Sequence, residues 1–522
     1  MVAEREDDRR GFASRTPVNT HPDGITYRRG FVTRHQVSGW RFLMRRIASG
    51  VALHDTRMLV EPLRTQSRAV MTGALVVITG LLGCLMFSWI RPGGVPGTEP
   101  VLADRDTAAL YVRIGDTLHP VLNLTSARLI AGEAAKPRMV RGSELDSFPR
   151  GSLVGIPGAP ERMVQSTSRD ADWTVCDAGP ASGVTVIAGA PASGGERAAV
   201  LHDDEAVLAD SGAGTWLLWQ GRRSRIDLAD RAVTGALGIG PGAAVRPVAD
   251  GLLNAVPEAP ALRAPAIPGA GSPAPYALPV AAPVGAIVVS YTADGALRHY
   301  AVLPTGVQQV SPVLAAVLRN TDSFGLDQPP RLAADEISRL PVADTLDADA
   351  FPARQVELRD AGADPVTCAH WSKPDRAATS SLALLAGSTL PMADGVQAID
   401  LVGGGSGGTA QRIAMRPGSG YLTQIVGPQP AATTAGSLFW LADTGVRYGI
   451  EGSRDGIGGS GGSGDVEGTV AALGLASPPV PVPWAVAALF APGPTLSRDD
   501  ALVARDSLGT AAVAARRIEE TP

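Results

Sequence analysis

Lysine is almost missing from this chain: Lys136 and Lys373 are the only lysines among its 522 residues, and arginine carries the remaining basic charge. A nucleotide-binding P-loop needs a lysine directly after its glycine-rich turn, where the ammonium group contacts the β- and γ-phosphates. A kinase-type site needs a comparable lysine on a strand. Neither lysine here follows a glycine. The sequence therefore excludes a Walker-type nucleotide site.

Histidine and cysteine are also scarce, with seven and three residues. The histidines form neither an H-E-x-x-H pattern nor the Cys/His spacing of a zinc site. Ser406 and Ser460 each match G-x-S-x-G, and the glycines from Gly403 onward match G-x-G-x-x-G, but glycine-rich composition alone explains these matches. His202 precedes three acidic residues, a cluster typical of a solvated loop. We therefore predict no catalytic residue, no metal ligand and no cofactor.

A predominantly apolar stretch of 22 residues without a charged side chain, AVMTGALVVITGLLGCLMFSWI, occupies residues 69–90. At about 1.5 Å per residue, a helix of this length reaches roughly 33 Å and spans the hydrocarbon core of a bilayer. Arg64 and Arg68 precede it, and Arg91 and Pro92 end it. A secretory signal has a shorter apolar stretch close to the start of the chain. The sequence predicts one uncleaved transmembrane helix at residues 69–90.

Charge is distributed unevenly about this predicted span. Residues 1–68 contain 13 arginines and 7 acidic residues, which gives +6, whereas the remaining 454 residues carry −11. Positively charged flanks are retained on the cytoplasmic side of a membrane. We expect a cytoplasmic amino terminus, with a disordered polar tail at residues 1–27, and an extracytoplasmic domain at residues 91–522.

The basic segment at residues 28–68 contains an amphipathic pattern. Thr33 and Gln36 have the spacing of a capping box, and apolar residues recur at helical intervals opposite several arginines. The helix would either lie in the inner-leaflet interface, with its arginines at anionic lipid, or dock on a cytoplasmic partner. No nucleic-acid-binding motif is present. The predicted contact residues are Arg34, Val37, Trp40, Arg41, Met44, Arg45 and Ile47.

Two of the three cysteines, Cys176 and Cys368, lie in the predicted extracytoplasmic domain, and Cys84 lies in the span. An oxidising compartment would allow Cys176 and Cys368 to form a disulfide. Two separate buried thiols are the alternative. Neither residue has the neighbours that activate a reactive thiolate.

Four similar segments recur in the extracytoplasmic domain. In each, a β-like run meets a glycine, a second apolar run follows, and a helix-like piece later ends at a proline. The glycines, interpreted as turns, are Gly115, Gly221, Gly306 and Gly445, and the prolines are Pro149, Pro257, Pro341 and Pro492. The fourth separation is longer because it contains a Gly/Ser-rich insertion at residues 452–465.

This pattern predicts four modules, each a β-hairpin with two short helices, at about residues 108–155, 213–262, 298–345 and 436–498. Apolar runs at residues 184–189, 286–291 and 382–387 are predicted strands of a central sheet. The expected fold class is α+β, with one transmembrane helix and four repeat modules around a β-containing core.

Several stretches resemble a known family: VTRHQVSGWRFLMRRIASGVALHDTRMLVEPLRTQSRAV before the span, then ADRDTAALYVRIGDTLHPVLNLTSARLIAG, FPRGSLVGIPGAP, WTVCD, DTGVRYGI and PGPTLSRDDAL. They are similar to the EccB family, the membrane-anchored core component of mycobacterial type VII (ESX) secretion systems. The resemblance extends from about residue 28 to the carboxyl terminus. RRGFASRTPVN and YRRGFVTRHQ resemble the paralogue of the ESX system linked to iron and zinc uptake.

The resemblance implies a periplasmic domain with a disulfide between Cys176 and Cys368. It also implies self-association and assembly in the inner membrane with the EccC motor ATPase, EccD and EccE, near the mycosin protease. We predict a structural core subunit that scaffolds the secretion pore and supports iron and zinc acquisition. Family members are often named as ATPases, so ATP hydrolysis through an unconventional site is the alternative.

Overall fold

The computed structural model describes residues 33–54, 62–90, 97–427, 429–452, 463–506 and 516–517. The tail predicted at residues 1–27 lies outside this part of the chain, as do residues 453–462 of the insertion. The chain divides into two compact units, Met1–Gly93 and Gly94–Pro522.

The described part of the first unit forms α1 Arg34–Leu53 and α2 Pro62–Ile90. Thr33 and Gln36 form the expected capping box at the start of α1. The N–H of Thr33 donates to the Gln36 side chain at 2.9 Å, and the N–H of Gln36 donates to the Thr33 hydroxyl at 3.4 Å. Helix α2 contains a 22-residue stretch, Gln66–Phe87, that is long and apolar enough to cross a membrane and is not buried by protein.

The second unit is mixed α+β and rich in strands, which confirms the predicted fold class. Its helices are α3 Leu124–Ala131, α4 Gly142–Leu145, α5 Arg231–Leu237, α6 Asp250–Ala255, α7 Pro312–Thr321, α8 Ala334–Arg339, α9 Ser463–Ala472, α10 Trp484–Ala487 and α11 Arg498–Ala501. Its strands are β1 Val101–Asp104, β2 Leu110–Ile114, β3 Thr117–Pro120, β4 Arg138–Val140, β5 Leu153–Val154, β6 Ala171–Asp177, β7 Val184–Ala188, β8 Ala199–Val200, β9 Glu205–Asp210, β10 Thr215–Trp219, β11 Arg222–Ile226, β12 Arg246–Pro247, β13 Glu258–Leu262, β14 Ile287–Tyr291, β15 Leu297–Leu303, β16 Gly306–Val310, β17 Glu357–Leu358, β18 Val366–Lys373, β19 Ser381–Gly387, β20 Ala398–Asp400, β21 Arg412–Ala414, β22 Gly420–Val426, β23 Thr434–Ala442, β24 Val446–Ile450, β25 Val480–Pro483, β26 Ala491–Pro492, β27 Val503–Arg505 and β28 Arg516–Arg517.

Four sheets share one topology, and each belongs to one module. Three antiparallel strands come first, then a helix and a segment parallel to the first strand, then a second helix and a segment parallel to the third strand. The second and fourth modules show this in full, with the orders β12-β9-β10-β11-β13 and β25-β22-β23-β24-β26. In the first module β4 pairs with β1, and a bridge between Leu118 and Arg150 completes the other edge. In the third, bridges from Val289 to Arg331 and from Val307 to Val342 complete both edges.

This topology explains the glycine-to-proline spacing. In three modules the repeat proline stands where the last segment joins the sheet, and its carbonyl accepts a hydrogen bond from the third strand. Proline has no N–H to offer a ladder, so an edge position of this kind suits it. The donor and acceptor pairs are Leu118 and Pro149 at 2.8 Å, Arg223 and Pro257 at 2.9 Å, and Val307 and Pro341 at 2.8 Å.

The four repeat glycines occupy two kinds of position. Gly115, Gly221 and Gly445 lie in turns with φ of 56°, 73° and 79°, a backbone conformation that favours glycine. Gly306 does not lie in the turn where it was expected: it is the first residue of β16, with φ of 150°. A Cβ atom at Gly306 would overlap the carbonyl oxygen of Pro341. The close approach of the returning segment and the positive φ both require glycine at this position, although it does not lie in a turn.

We expect Gly306→Ala to destabilise the folded chain by about 2–4 kcal/mol, because the added methyl group overlaps a carbonyl that already accepts a hydrogen bond and because alanine is strained at this positive φ. Urea unfolding followed by tryptophan fluorescence measures the loss. Gly240→Ala is the matched control, since a Cβ atom there would meet no heavy atom within 4 Å. Equal unfolding midpoints for the two variants would show that the returning segment does not constrain Gly306.

A seven-stranded sheet, in the order β20-β21-β7-β6-β18-β19-β8, lies outside the four modules. The apolar runs at residues 184–189 and 382–387 supply β7 and β19, as predicted. The run at residues 286–291 does not join this sheet and instead forms β14 of the third module. A continuous apolar run indicates a strand but not its partner. Here β15 follows after a short turn and pairs with β14 locally.

The modules pair through shared hydrophobic cores. The first and fourth modules contribute to one cluster, which contains Val112 and Ile130 together with Trp440 and Leu473. The second and third modules form another, in which α5 packs against α7. The first module therefore packs against the most distant module in the sequence. The exact module boundaries stay a prediction.

Candidate functional site

The disulfide lies in the seven-stranded sheet. Strands β6 and β18 are antiparallel neighbours, and Cys176 and Cys368 are directly opposite each other. Their sulfur atoms are bonded, their Cα atoms are 4.0 Å apart, and 192 residues separate them in sequence. Both side chains are fully buried. The predicted disulfide is confirmed, and it joins the chain before the second module to the chain after the third.

A buried arginine lies beside this disulfide. Arg246 of β12 donates hydrogen bonds to the hydroxyl of Thr367, next to Cys368, and to the carbonyl of Asp360 at 3.5 Å. Burial lowers the pKa of Arg246, while the charges of Asp364, Asp177 and Asp360 oppose this shift. A guanidinium that is 5% exposed needs such partners to balance its desolvation. It fastens the second module to the seven-stranded sheet.

A second arginine extends this network. Arg359 forms ion pairs with Glu205 at 3.0 Å and with Asp364 at 2.6 Å. Burial opposes the charged form, but the Asp364 and Glu205 carboxylates raise the pKa of Arg359 above its usual value. The N–H of His202 donates to the same Glu205 at 2.8 Å. The acidic cluster after His202 is thus a turn that holds a structural ion pair.

Sequence analysis missed Arg246 and Arg359. Both are isolated arginines in short loops or edge strands, and no local pattern reveals that Arg246 will be buried or that Arg359 will pair with two carboxylates. The carboxylates that balance them are brought together only by the fold.

The remaining motifs give no catalytic arrangement in the part of the chain that the structure describes. Ser406 lies in a short turn, where its hydroxyl donates to the carbonyl of Gly403; Ser460 lies outside the described residues. Lys136 is exposed after α3, and Lys373 ends β18. Within the same described ranges, no group of three or more His, Cys, Asp or Glu residues could hold a metal ion.

Helix α1 presents the predicted contact residues to solvent. The side chains of Val37, Trp40, Met44 and Ile47 are all exposed, Trp40 by 64%. At 100° per residue they lie within a sector of roughly 80°. The three arginines occupy a separate sector of roughly 40° on the same helix. These three predicted contact residues, Arg34, Arg41 and Arg45, are all exposed.

Comparison with known proteins gives consistent results. Residues 29–510 match the family described as "Type VII secretion system ESX-1, transport TM domain B". A protein of Mycolicibacterium smegmatis, named "ESX-3 secretion system ATPase EccB3", is 62% identical over 511 residues, which cover 97% of this chain and 96% of that protein. Its Mycobacterium tuberculosis counterpart is 61% identical over 519 residues, or 96% of this chain and 95% of that protein.

Two solved structures resemble this chain over most of its length. A chain of an intact ESX-5 inner membrane complex superimposes with a TM-score of 0.71 at 35% identity, covering 95% of this chain and all of that one. A chain of the EccB3 dimer from the ESX-3 core complex gives 0.68 at 56% identity, covering 78% of this chain and all of that one. With one candidate membrane helix among the described residues, a four-module strand-rich unit and near-complete alignment to these relatives, the chain belongs to the EccB family of type VII secretion proteins.

Proposed function

We propose that this chain is a structural core subunit of an ESX complex in the inner membrane. One observation carries the proposal: an exposed apolar helix of membrane-spanning length precedes a large unit in which a buried arginine fastens the second module to the seven-stranded sheet. The similarity to a chain of an intact ESX-5 inner membrane complex supports this role. The second unit would form part of the periplasmic side of the secretion pore, with the amino terminus in the cytoplasm.

The proposed partners are EccC, EccD, EccE and the mycosin protease, together with a second copy of this chain. The similarity to a chain solved as an EccB3 dimer supports self-association. The 62% identity to an ESX-3 protein supports assignment to the iron- and zinc-linked system.

Helix α1 is proposed to contact the inner leaflet or a cytoplasmic subunit through its apolar face. The double variant Trp40→Glu, Met44→Glu places two carboxylates on that face. We expect this variant to bind vesicles of anionic lipid about tenfold or more weakly, or to co-purify with about tenfold or more less of the other membrane subunits.

Phe42→Glu is the matched control for this experiment, because Phe42 lies roughly opposite the apolar face on the same helix. Flotation on vesicles separates the lipid interaction from the subunit interaction. If the double variant and Phe42→Glu behave alike in both assays, the face has no contact role.

The enzymatic alternative rests on the word ATPase in the names of the relatives. The full chain, purified in detergent and assayed with Mg-ATP, should show no turnover above a mock purification. In cells without the chain, the other membrane subunits should fail to co-migrate as one complex. Turnover that disappears with a single substitution would favour the enzyme. Normal assembly without the chain would refute the scaffold.

A further inference from the structure

A cleft with a volume of about 580 Å³ lies between the second and third modules. One wall comes from the β10–β11 hairpin, which contributes Gln220 and Arg222. Another comes from β15 and β16, through Arg298, His299 and Gln309. This volume falls within the range that small-molecule sites occupy and exceeds what a single ion needs.

The cleft concentrates positive charge. Arg222 stacks over the ring of Trp219 at 4.8 Å and donates to the carbonyl of Asp349 at 3.4 Å, so its guanidinium plane is held in place. Arg298 lines the same cleft from the other module. Among the described residues that line the cleft, Asp349 is the one acidic residue. A fixed guanidinium is well suited to planar recognition of a carboxylate or phosphate.

His299 adds a polar atom that the protein does not satisfy. Its Nδ1 is shielded from solvent and has no hydrogen-bond partner. Burial, followed by the charge of Arg319, lowers the pKa of His299. The ring is therefore neutral at neutral pH and offers one donor and one acceptor. Because solvent does not reach this nitrogen, a molecule in the open cleft would not contact it, and His299 contributes to the site as part of the cleft wall.

We propose that this cleft binds a small molecule that carries a carboxylate or phosphate group, contacted by Arg222 and Arg298, with His299 in the wall of the cleft. Gln220 and Gln309 supply polar groups for the rest of the molecule. This function is separate from the scaffold role. Because the two modules contribute different walls, an occupant would also brace them against each other.

The test uses the full chain in detergent and two probes, inorganic phosphate and succinate, titrated by calorimetry at constant ionic strength. We expect saturable binding of at least one probe, and the preferred probe identifies the anionic group. Arg222→Gln and Arg298→Gln should each weaken binding by about tenfold or more, since each removes a charged hydrogen-bond donor. Arg331→Gln should bind as the unmodified chain does, because Arg331 stacks over Tyr291 and does not line the cleft.

Arg298 is exposed, so its replacement preserves folding even if loss of the Arg222 stack on Trp219 does not. Two results would overturn the proposal: no saturable binding of either probe, or unchanged binding when Arg298 is replaced. A loss of binding that is equally large in Arg331→Gln would also overturn it, because the effect would then reflect overall charge.

Discussion

A chain that ends at residue 417, before β22, should lose its folded first module even though that module is complete in the shortened chain. The apolar side chains of the first module, such as Val112, Leu129 and Ile130, are buried in the same cluster as Trp440 and Leu473 of the fourth. Removing the fourth module exposes this surface to water and withdraws the main source of its stability. Amide hydrogen exchange of residues 101–140 should rise by several orders of magnitude, towards the rate of unfolded chain.

The second and third modules provide the control in the same sample. Their shared cluster, including Leu217, Val233, Leu303 and Leu314, contains no residue of the fourth module. Amides of β10 and α7 should therefore keep their protection in the shortened chain. Protected amides in the first module would mean that it folds alone and that the shared core contributes little to it.

Loss of the disulfide should produce the second large effect. Replacing Cys176 or Cys368 by alanine should lower the free energy of unfolding by about 2–5 kcal/mol, because a cross-link across 192 residues restricts the unfolded chain. Each single variant already breaks the bond, so the double variant should lose little more than either single one. Urea unfolding of the purified chain, with and without reductant, gives the midpoints.

Cys84→Ala is the matched control, because Cys84 is the free cysteine of α2 and takes no part in the disulfide. It should leave the midpoint unchanged, and reductant should shift the control and the unmodified chain equally. A reduced chain that unfolds at the same urea concentration as the oxidised chain would show that hydrogen bonding between β6 and β18 suffices without the cross-link.

The disulfide and the Arg246 network act at the same place. Thr367, which accepts a hydrogen bond from Arg246, is adjacent to Cys368 on β18. The covalent bond holds two strands of the seven-stranded sheet, and the buried guanidinium holds the second module against it. A body fixed in this way can keep distant modules at constant separation, as a scaffold requires.

Local patterns in the sequence anticipated the elements well. The uncharged run at residues 69–90 overlaps α2, and the helix-like pieces before the repeat prolines became α4, α6, α8 and α10. These features depend on neighbouring residues, through run length, periodicity and the missing N–H of proline. The prediction that Gly306 lies in a turn was wrong, because the sequence does not reveal whether a turn or a close backbone contact requires a glycine.

The sequence by itself indicated a helix of membrane-spanning length, four repeated segments and a hairpin with helices in each, since each of these arises within a few tens of residues. It did not assign to its module the first strand of each sheet, which precedes the predicted hairpin. Only the tertiary structure decided that the first module shares a core with the fourth and that β14 joins the third module. It also decided that Arg246 is buried and that Arg359 pairs with two carboxylates. The reason is physical. A local pattern shows whether a segment has an apolar or a charged surface, but not which other segment that surface contacts. The contact is selected by packing between segments that lie far apart in the chain.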